Sequence, residues 1–284
     1  MGIDKDVAKF LLSARERKVK FQKSLMLGNQ KLDLSKSDYQ YLRGIYDLND
    51  FTKIKNSPDF FYYLGAEEVD SMDISDYEGA KILHDLNQPI SDDLKEKFTF
   101  VLDGGTLEHV FNFPIALANA MKMVEVGGHL AIITGGNNFL GHGFYQFSPE
   151  LFYRALSDEN GFEVKRMIAA EVGENWYEVA DPKKIKSRVE LINDKPTYLM
   201  ILAKKTASKP LFEKTPQQSD YAAMWTGENH AQTVNNSSNK IKNLLKRSEF
   251  LYQTLAHLKQ NQINNLLRKE KSFSNNKAYK LVEK

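Results

Sequence analysis

Two histidines sit where a side chain can exchange protons near neutral pH. His109 follows Glu108 in the turn after an apolar run, and His142 lies between Gly141 and Gly143 with Tyr145 close by. Histidine titrates nearest to neutrality, so both are candidate bases. Three further acids, Asp73, Asp85 and Asp103, fall at strand ends in the first half of the chain. An acid ending the second strand of a nucleotide-binding sheet can accept hydrogen bonds from both ribose hydroxyls. Three such acids at alternate strand–helix junctions point to a nucleoside-containing cofactor. Each has a plainer role open to it as well, because Asp also caps turns and a turn histidine is often structural. The other histidines, His84, His129, His230 and His257, are expected to be structural or exposed. No metal is expected: Glu108 and His109 are adjacent, which keeps them from facing one ion from a helix, and there is no His-x-x-x-His pair.

These residues need elements to hold them. Val7, Phe10, Leu11 and Ala14 recur at helical spacing within 3–18. Ser24–Leu27 is a short apolar strand stopped by Gly28, and Asp59–Leu64 ends a helix at Gly65. Residues 31–63 otherwise read as a polar stretch carrying Tyr39, Tyr41, Tyr46 and Phe51. Val69–Ile74 is a second strand and Phe98–Leu102 a third, ending at Asp103-Gly104-Gly105. Pro114 suits the first turn of a helix buried through Ile115, Leu117, Ala118, Met121 and Val124 and closed by Gly127-Gly128. Leu130–Thr134 is a buried strand, a helix spans Ser148–Leu156, a strand starts at Gly161–Val164, and Thr197–Ala203 is a last strand before the tail. Strands alternating with helices imply an α/β fold, a mostly parallel, doubly wound sheet covered on both faces. Ligands of such sheets bind beyond the carboxyl ends of the strands.

Composition narrows the function classes. Hydrophobic residues at 42% and charged ones at 27% are ordinary for a globular chain. No cysteine is present, which excludes disulfides, thiolate metal sites and thiol nucleophiles and fits a reducing, cytoplasmic setting. The charged start lacks a signal core, and no apolar run reaches the length of about 18 residues that spans a membrane. The net charge of +2 is unevenly spread: residues 206–284 hold 13 Lys/Arg against 6 Asp/Glu, and residues 1–205 hold 26 against 31. The acidic body argues against a nucleic-acid groove, and the basic tail reads as a solvated helix. Three units follow: a main domain over 1–205, a Thr/Gln/Asn/Ser-rich linker over 206–236, and a basic amphipathic helical tail over 237–284 without Gly or Pro. Ser237 or Ser238 would cap that helix, and Ile241, Leu244, Leu245, Leu251, Leu255, Leu258, Ile263, Leu266 and Leu267 mark its apolar side. Packing on its own domain or in a homodimer is expected of it.

The run Phe98–Val110, FTFVLDGGTLEHV, followed by a helix and Val126-Gly127-Gly128-His129-Leu130, resembles the central block of class I SAM-dependent methyltransferases. The resemblance covers residues 22–203 and implies a seven-stranded Rossmann-like sheet with S-adenosyl-L-methionine as cofactor. It implies that Asp73 with Ile74 holds the ribose side, Asp85 with Leu86 the adenine edge, and Gly104, Gly105 and Thr106 the methionine part. The stretches Ser75–Ala80 and Gly141–Pro149 (GHGFYQFSP) are similar to a narrower subgroup associated with secondary metabolites and surface sugars. The implied activity is transfer of a methyl group to an O or N of a small-molecule acceptor. His142 and His109 would then be the bases, with Tyr145 near them, and Glu108 would orient a histidine or hold the cofactor's amino group. One departure stands out: where the family has an acid and three spaced glycines, Leu27-Gly28-Asn29-Gln30 has one glycine and no acid. Gly28, Asn29 and Gln30 would have to make the cofactor contacts instead.

Two other classes compete. A nicotinamide-dependent reductase would share the fold, and Tyr77-Glu78-Gly79-Ala80-Lys81 imitates a Tyr-x-x-x-Lys pair. No Gly-x-Gly-x-x-Gly follows the first strand, however, and the pair comes too early. A non-catalytic binding or scaffold protein would explain the eroded first motif and the helical tail. A nucleic-acid methyltransferase is disfavoured by the acidic body and by the lack of an Asn/Asp-Pro-Pro-Tyr/Phe motif.

Overall fold

The computed structural model describes residues 2–46, 48, 51–226 and 249–282. One sheet organises them, in the order β3-β2-β1-β4-β5-β8-β6-β7-β9. Its strands are β1 (Lys23–Leu27), β2 (Glu68–Asp73), β3 (Ile82–Leu83), β4 (Phe98–Asp103), β5 (Val124–Asn137), β6 (Phe162–Glu171), β7 (Trp176–Val179), β8 (Thr197–Lys205) and β9 (Tyr279–Leu281). The first five pair in parallel, whereas β8, β6, β7 and β9 each join antiparallel to their neighbour. The seven-stranded, mostly parallel expectation is therefore corrected to nine strands in a mixed sheet. The added β7 doubles back from β6 after a turn at Gly173, whose φ of +78° favours glycine. The C-terminal β9 then pairs with the outer edge of β7, so the last residues cover an edge that would otherwise stay open.

Side-chain alternation sorts the sheet into two cores. Leu25, Leu27, Val101, Leu130, Ile132 and Ile201 face one layer, with α4 (Phe113–Met123) and α5 (Pro149–Ala155). Met26, Phe100, Leu102, Ala131, Ile133 and Met200 face the other, with α1 (Lys5–Glu16) and α3 (Ser57–Leu64). Caps set the helix starts. Asp4 accepts from the Val7 N–H at 2.9 Å in α1, and Asn56 accepts from Asp59 at 2.8 Å in α3, which Gly65 ends at φ +108°. The polar stretch after β1 contains α2 (Lys36–Ile45), opened by a reciprocal Ser35–Asp38 capping box.

Gly127-Gly128 does not end a helix. Helix α4 stops at Met123 and the chain passes directly into β5, with the glycines at an irregularity opposite β4. A Cβ on Gly128 would lie 2.7 Å from the Thr99 carbonyl oxygen, so the close approach of β4 dictates the residue. The buried face of α4 runs through Phe113, Ala116, Leu117, Ala120, Met121 and Met123, while Ile115 and Ala118 are half-buried at its margin.

Beyond β8 the chain forms α7 (Ser219–Trp225) and α8 (Glu249–Glu270), and α6 (Pro182–Ile185) lies between β7 and β8. The expected cap at Ser237 or Ser238 and the apolar positions Ile241, Leu244 and Leu245 lie outside the described residues. Toward the end of α8, Ile263 and Leu267 are partly exposed and Leu266 is 65% exposed. No described helix is long and apolar enough to cross a membrane.

Candidate functional site

The parallel half of the sheet brings the turns after β1, β2, β4 and β5 to one edge. Leu27, at the end of β1, pairs with Met72 on one side and Asp103 on the other. Gly28 turns the chain there with φ +71° and donates its N–H to the Met72 carbonyl at 2.7 Å. A Cβ at Gly28 would lie 2.8 Å from Thr106 Oγ1, and one at Gly104 would lie 2.7 Å from Gln30 Oε1. The two glycines thus form a tight notch, with the buried Gln30 side chain in it. Gln30 Nε2 donates to the Leu27 carbonyl at 2.7 Å, and Thr106 Oγ1 donates to the same oxygen at 2.8 Å. Gln30 Oε1, on the Gly104 side, is buried without a hydrogen-bond partner. Asn29 is half-buried and donates to the Glu78 carbonyl.

The acids differ in what they are free to do. Asp73 is half-buried and accepts the Ile74 N–H through Oδ1 at 2.7 Å; Ile74 itself is 68% exposed on the same edge. Asp85 accepts from the backbone N–H and the side-chain amide of Asn87 at 2.9 and 2.8 Å, which hold its carboxyl below the usual range. Leu86 turns into the core and offers its carbonyl to Asn119. Asp103 is fully buried and caps the turn beyond β4, accepting the N–H groups of Thr106 at 2.9 Å and Leu107 at 3.2 Å through Oδ1. Its other oxygen is buried and unpartnered. Burial, with the Glu108 carboxyl nearby, pushes Asp103 well above the ordinary carboxylate range. Asp103 therefore shapes the Gly104-Gly105-Thr106 turn, in which Gly105 takes φ +93°.

A tight turn of 3-10 type over Leu107–His109 carries Glu108 inward and leaves His109 exposed. The loop after β5 closes on it. Phe144 N–H and Tyr145 N–H both donate to the Glu108 carbonyl, at 2.8 and 3.3 Å, and a Cβ on Gly143 would lie 2.8 Å from that oxygen. This clamp brings His142 Nε2 to 3.5 Å from Glu108 Oε1 and its ring centroid to 4.8 Å from that of His109. The Glu108 side chain is 0% exposed, and neither of its carboxyl oxygens has a hydrogen-bond partner. Burial raises its pKa, partly offset by the Thr134 hydroxyl beside it. Burial lowers both histidines, His109 further through His142, so both are neutral at pH 7.

Tyr145 plays a different part. Its hydroxyl donates to the Phe111 carbonyl at 2.7 Å and its ring packs on Phe113 and Phe147, so it braces the loop. Thr134, at the end of the strand read over Leu130–Thr134, and Gln146, within the Gly141–Pro149 stretch, carried no assigned role in the sequence and matter to the arrangement. Thr134 is fully buried at the end of β5 beside Glu108, and Gln146 holds the loop start by accepting the Phe139 N–H at 2.8 Å. The expectation that Glu108 and His109 cannot share a ligand also changes, because a tight turn rather than a helix carries them and a distant loop supplies His142. The ligand atoms of the three residues all lie within 4.8 Å of one another.

Neither a protein-family model nor a curated protein sequence matches this chain. Solved structures that resemble it include methyltransferases. One is a proposed S-adenosylmethionine-dependent methyltransferase from Listeria monocytogenes, at 12% identity over 70% of this chain and 98% of that one, with a TM-score of 0.41. Another is a proposed methyltransferase from Bacillus halodurans, at 12% identity over 70% and 99%, with a TM-score of 0.38. A third is the 1,6-didemethyltoxoflavin N1-methyltransferase of Burkholderia thailandensis, crystallised with its substrate and S-adenosylhomocysteine, at 13% identity over 70% and 77%, with a TM-score of 0.37.

Proposed function

We propose that this protein is a SAM-dependent methyltransferase that methylates an O or N atom of a small molecule, a secondary-metabolite or surface-sugar precursor. One observation carries the reading: a half-buried acid, a two-glycine notch and a carboxyl–histidine cluster follow one another along a single carboxyl edge of parallel strands.

The residues on that edge fit the cofactor's parts. Asp73 has one oxygen on the Ile74 N–H, and its carboxylate can accept ribose hydroxyls. The exposed Ile74 side chain offers an apolar face to an adenine ring, and Asp85, with the backbone of Leu86, stands next along the edge. At the Gly28–Gly104 notch, the orphaned Gln30 Oε1 is an acceptor suited to the methionine ammonium group. The amide of Gln30 thus takes over what glycines and an acid do in the resembled family. Asp103 is spent on its turn and acts on the ligand only through the backbone of Gly104–Thr106.

The cofactor supplies an electrophilic methyl group on a positive sulfur. What remains for the chain is to align the acceptor and remove its proton. His109 and His142, neutral and facing the space above β4 and β5, are the groups that can do the latter. Tyr145 and the Gly141–Gly143 turn hold His142 in register with Glu108.

Calorimetric titration with SAM is the test. The wild type is expected to bind, Asp73→Ala to lose most of that affinity, and His142→Ala to keep it while turnover falls about 100-fold. No binding of SAM or of its demethylated product would overturn the enzyme reading in favour of a non-catalytic scaffold.

A further inference from the structure

Glu108 poses an electrostatic problem that the hydrogen bonds around it do not solve. A carboxyl group with no exposed surface and two unpartnered oxygens is costly to keep in either protonation state. A second buried oxygen without a partner, Asp103 Oδ2, belongs to a carboxyl whose own proton affinity burial and the nearby Glu108 raise. His142 Nε2, itself buried and unpartnered, lies 3.5 Å from Glu108 Oε1. Two buried and unpartnered groups, the Glu108 carboxyl and His142 Nε2, therefore face each other across 3.5 Å, with the exposed ring of His109 beside them.

We propose that Glu108, His109 and His142 bind a divalent first-row transition-metal ion at the mouth of the site. The donor set of one carboxylate and two imidazoles suits such ions. Two donors at about 2.0–2.1 Å on a tetrahedral ion lie about 3.3 Å apart, and Glu108 Oε1 and His142 Nε2 are already 3.5 Å apart. His109 needs only a side-chain adjustment, since all three ligand atoms fall within 4.8 Å. Each imidazole offers one ring nitrogen to the ion, and the ion would give the buried Glu108 oxygens the partner they lack. The solvent side of His109 leaves coordination positions open for an acceptor.

This deepens the methyltransferase reading and rests on it for its chemical purpose. With His109 and His142 serving as ligands instead of as the base, an acceptor hydroxyl held at the ion would lose its proton to solvent, and its oxygen lone pair would form the new bond to the methyl carbon. The sulfur–methyl pair stays on sulfur, leaving a neutral thioether. Acceptors with a hydroxyl next to a second oxygen donor would chelate the ion and be preferred.

The test is titration of chelator-treated full-length protein with Co²⁺, followed by its visible d–d absorption, with SAM binding measured in parallel by calorimetry. One saturable Co²⁺ site displaced by Zn²⁺ is expected, weakened about 100-fold or more in Glu108→Gln and in His142→Ala. A cooperative thermal transition close to that of the wild type in both variants serves as the check that they are folded. Should wild type and Glu108→Gln take up Co²⁺ alike, or the wild type show no saturable site, the proposal falls. SAM binding without Co²⁺ binding would sink the metal site and leave the methyltransferase reading standing. Co²⁺ binding without SAM binding would do the reverse.

Discussion

At the scale of single residues, the site depends on glycines that let two backbones touch. Gly143 is the sharpest case, with φ +72° and the Glu108 carbonyl 2.8 Å from where a Cβ would stand. Alanine there would push the loop away from Glu108 and break the bonds from Phe144 and Tyr145 that seat His142. Gly143 is thus a positioning residue. Gly143→Ala is expected to lower turnover about tenfold or more through misplacement of His142, with SAM affinity unchanged by calorimetry. Gly28 governs the other half of the edge in the same way. Its alanine variant combines a left-handed backbone, costing about 1–2 kcal/mol, with contact at 2.8 Å from Thr106 Oγ1. Weakened SAM binding and a lower thermal midpoint are the expected outcome.

At the scale of elements, side-chain hydrogen bonds fasten helices to the sheet. Asp6 of α1 is buried and accepts the Gly173 N–H at 2.9 Å and the Trp176 indole N–H at 3.2 Å, fastening α1 to the β6–β7 turn. Asp6→Ala would strand two donors, at about 1–3 kcal/mol each, and a fall in denaturant midpoint of matching size is expected. His129 on β5 gives the element its pH dependence. Burial first, then Lys204 and Lys165, lower its pKa to about 4. Its unfolded form takes up a proton below about 6.5 while the folded form does not, so its stabilising contribution is full above that pH. The contribution is lost as pH falls from about 6.5 toward 4. The ring is only partly buried, so the loss stays well under the roughly 3 kcal/mol that full desolvation would give. His129→Gln is expected to flatten the acid limb of a melting-temperature-against-pH curve.

At the scale of the whole molecule, β9 and the residues before it pack onto β7 and extend the sheet by one strand. Phe273 stacks on Tyr177 at 4.0 Å with a 6° interplanar angle, Tyr279 meets it edge-on, and the Ala180 N–H donates to the Ala278 carbonyl at 2.8 Å. The Lys271–Glu190 ion pair at 2.6 Å adds a tie on the surface. Phe273→Ala is expected to cost about 3 kcal/mol locally and to release β9. Limited proteolysis would then cut the variant near residue 271 while the parallel half of the sheet, and SAM binding with it, stays intact.

The sequence by itself determined the alternation of strands and helices, and that Asp73, Glu108, His109 and His142 follow strands and not helices. Those features are legible because local periodicity and turn chemistry act over a few residues. It did not reveal β7 or β9, whose few residues become strands only by pairing outward from β6, nor α2, whose helix opens on a capping box. Its reading of Gly127-Gly128 as a helix end failed because the constraint comes from Thr99 on another strand. Above all, tertiary structure alone decided that Glu108, His109 and His142 share one space. Residues 33 positions apart in the chain meet there only because the β5 loop folds back onto the turn after β4.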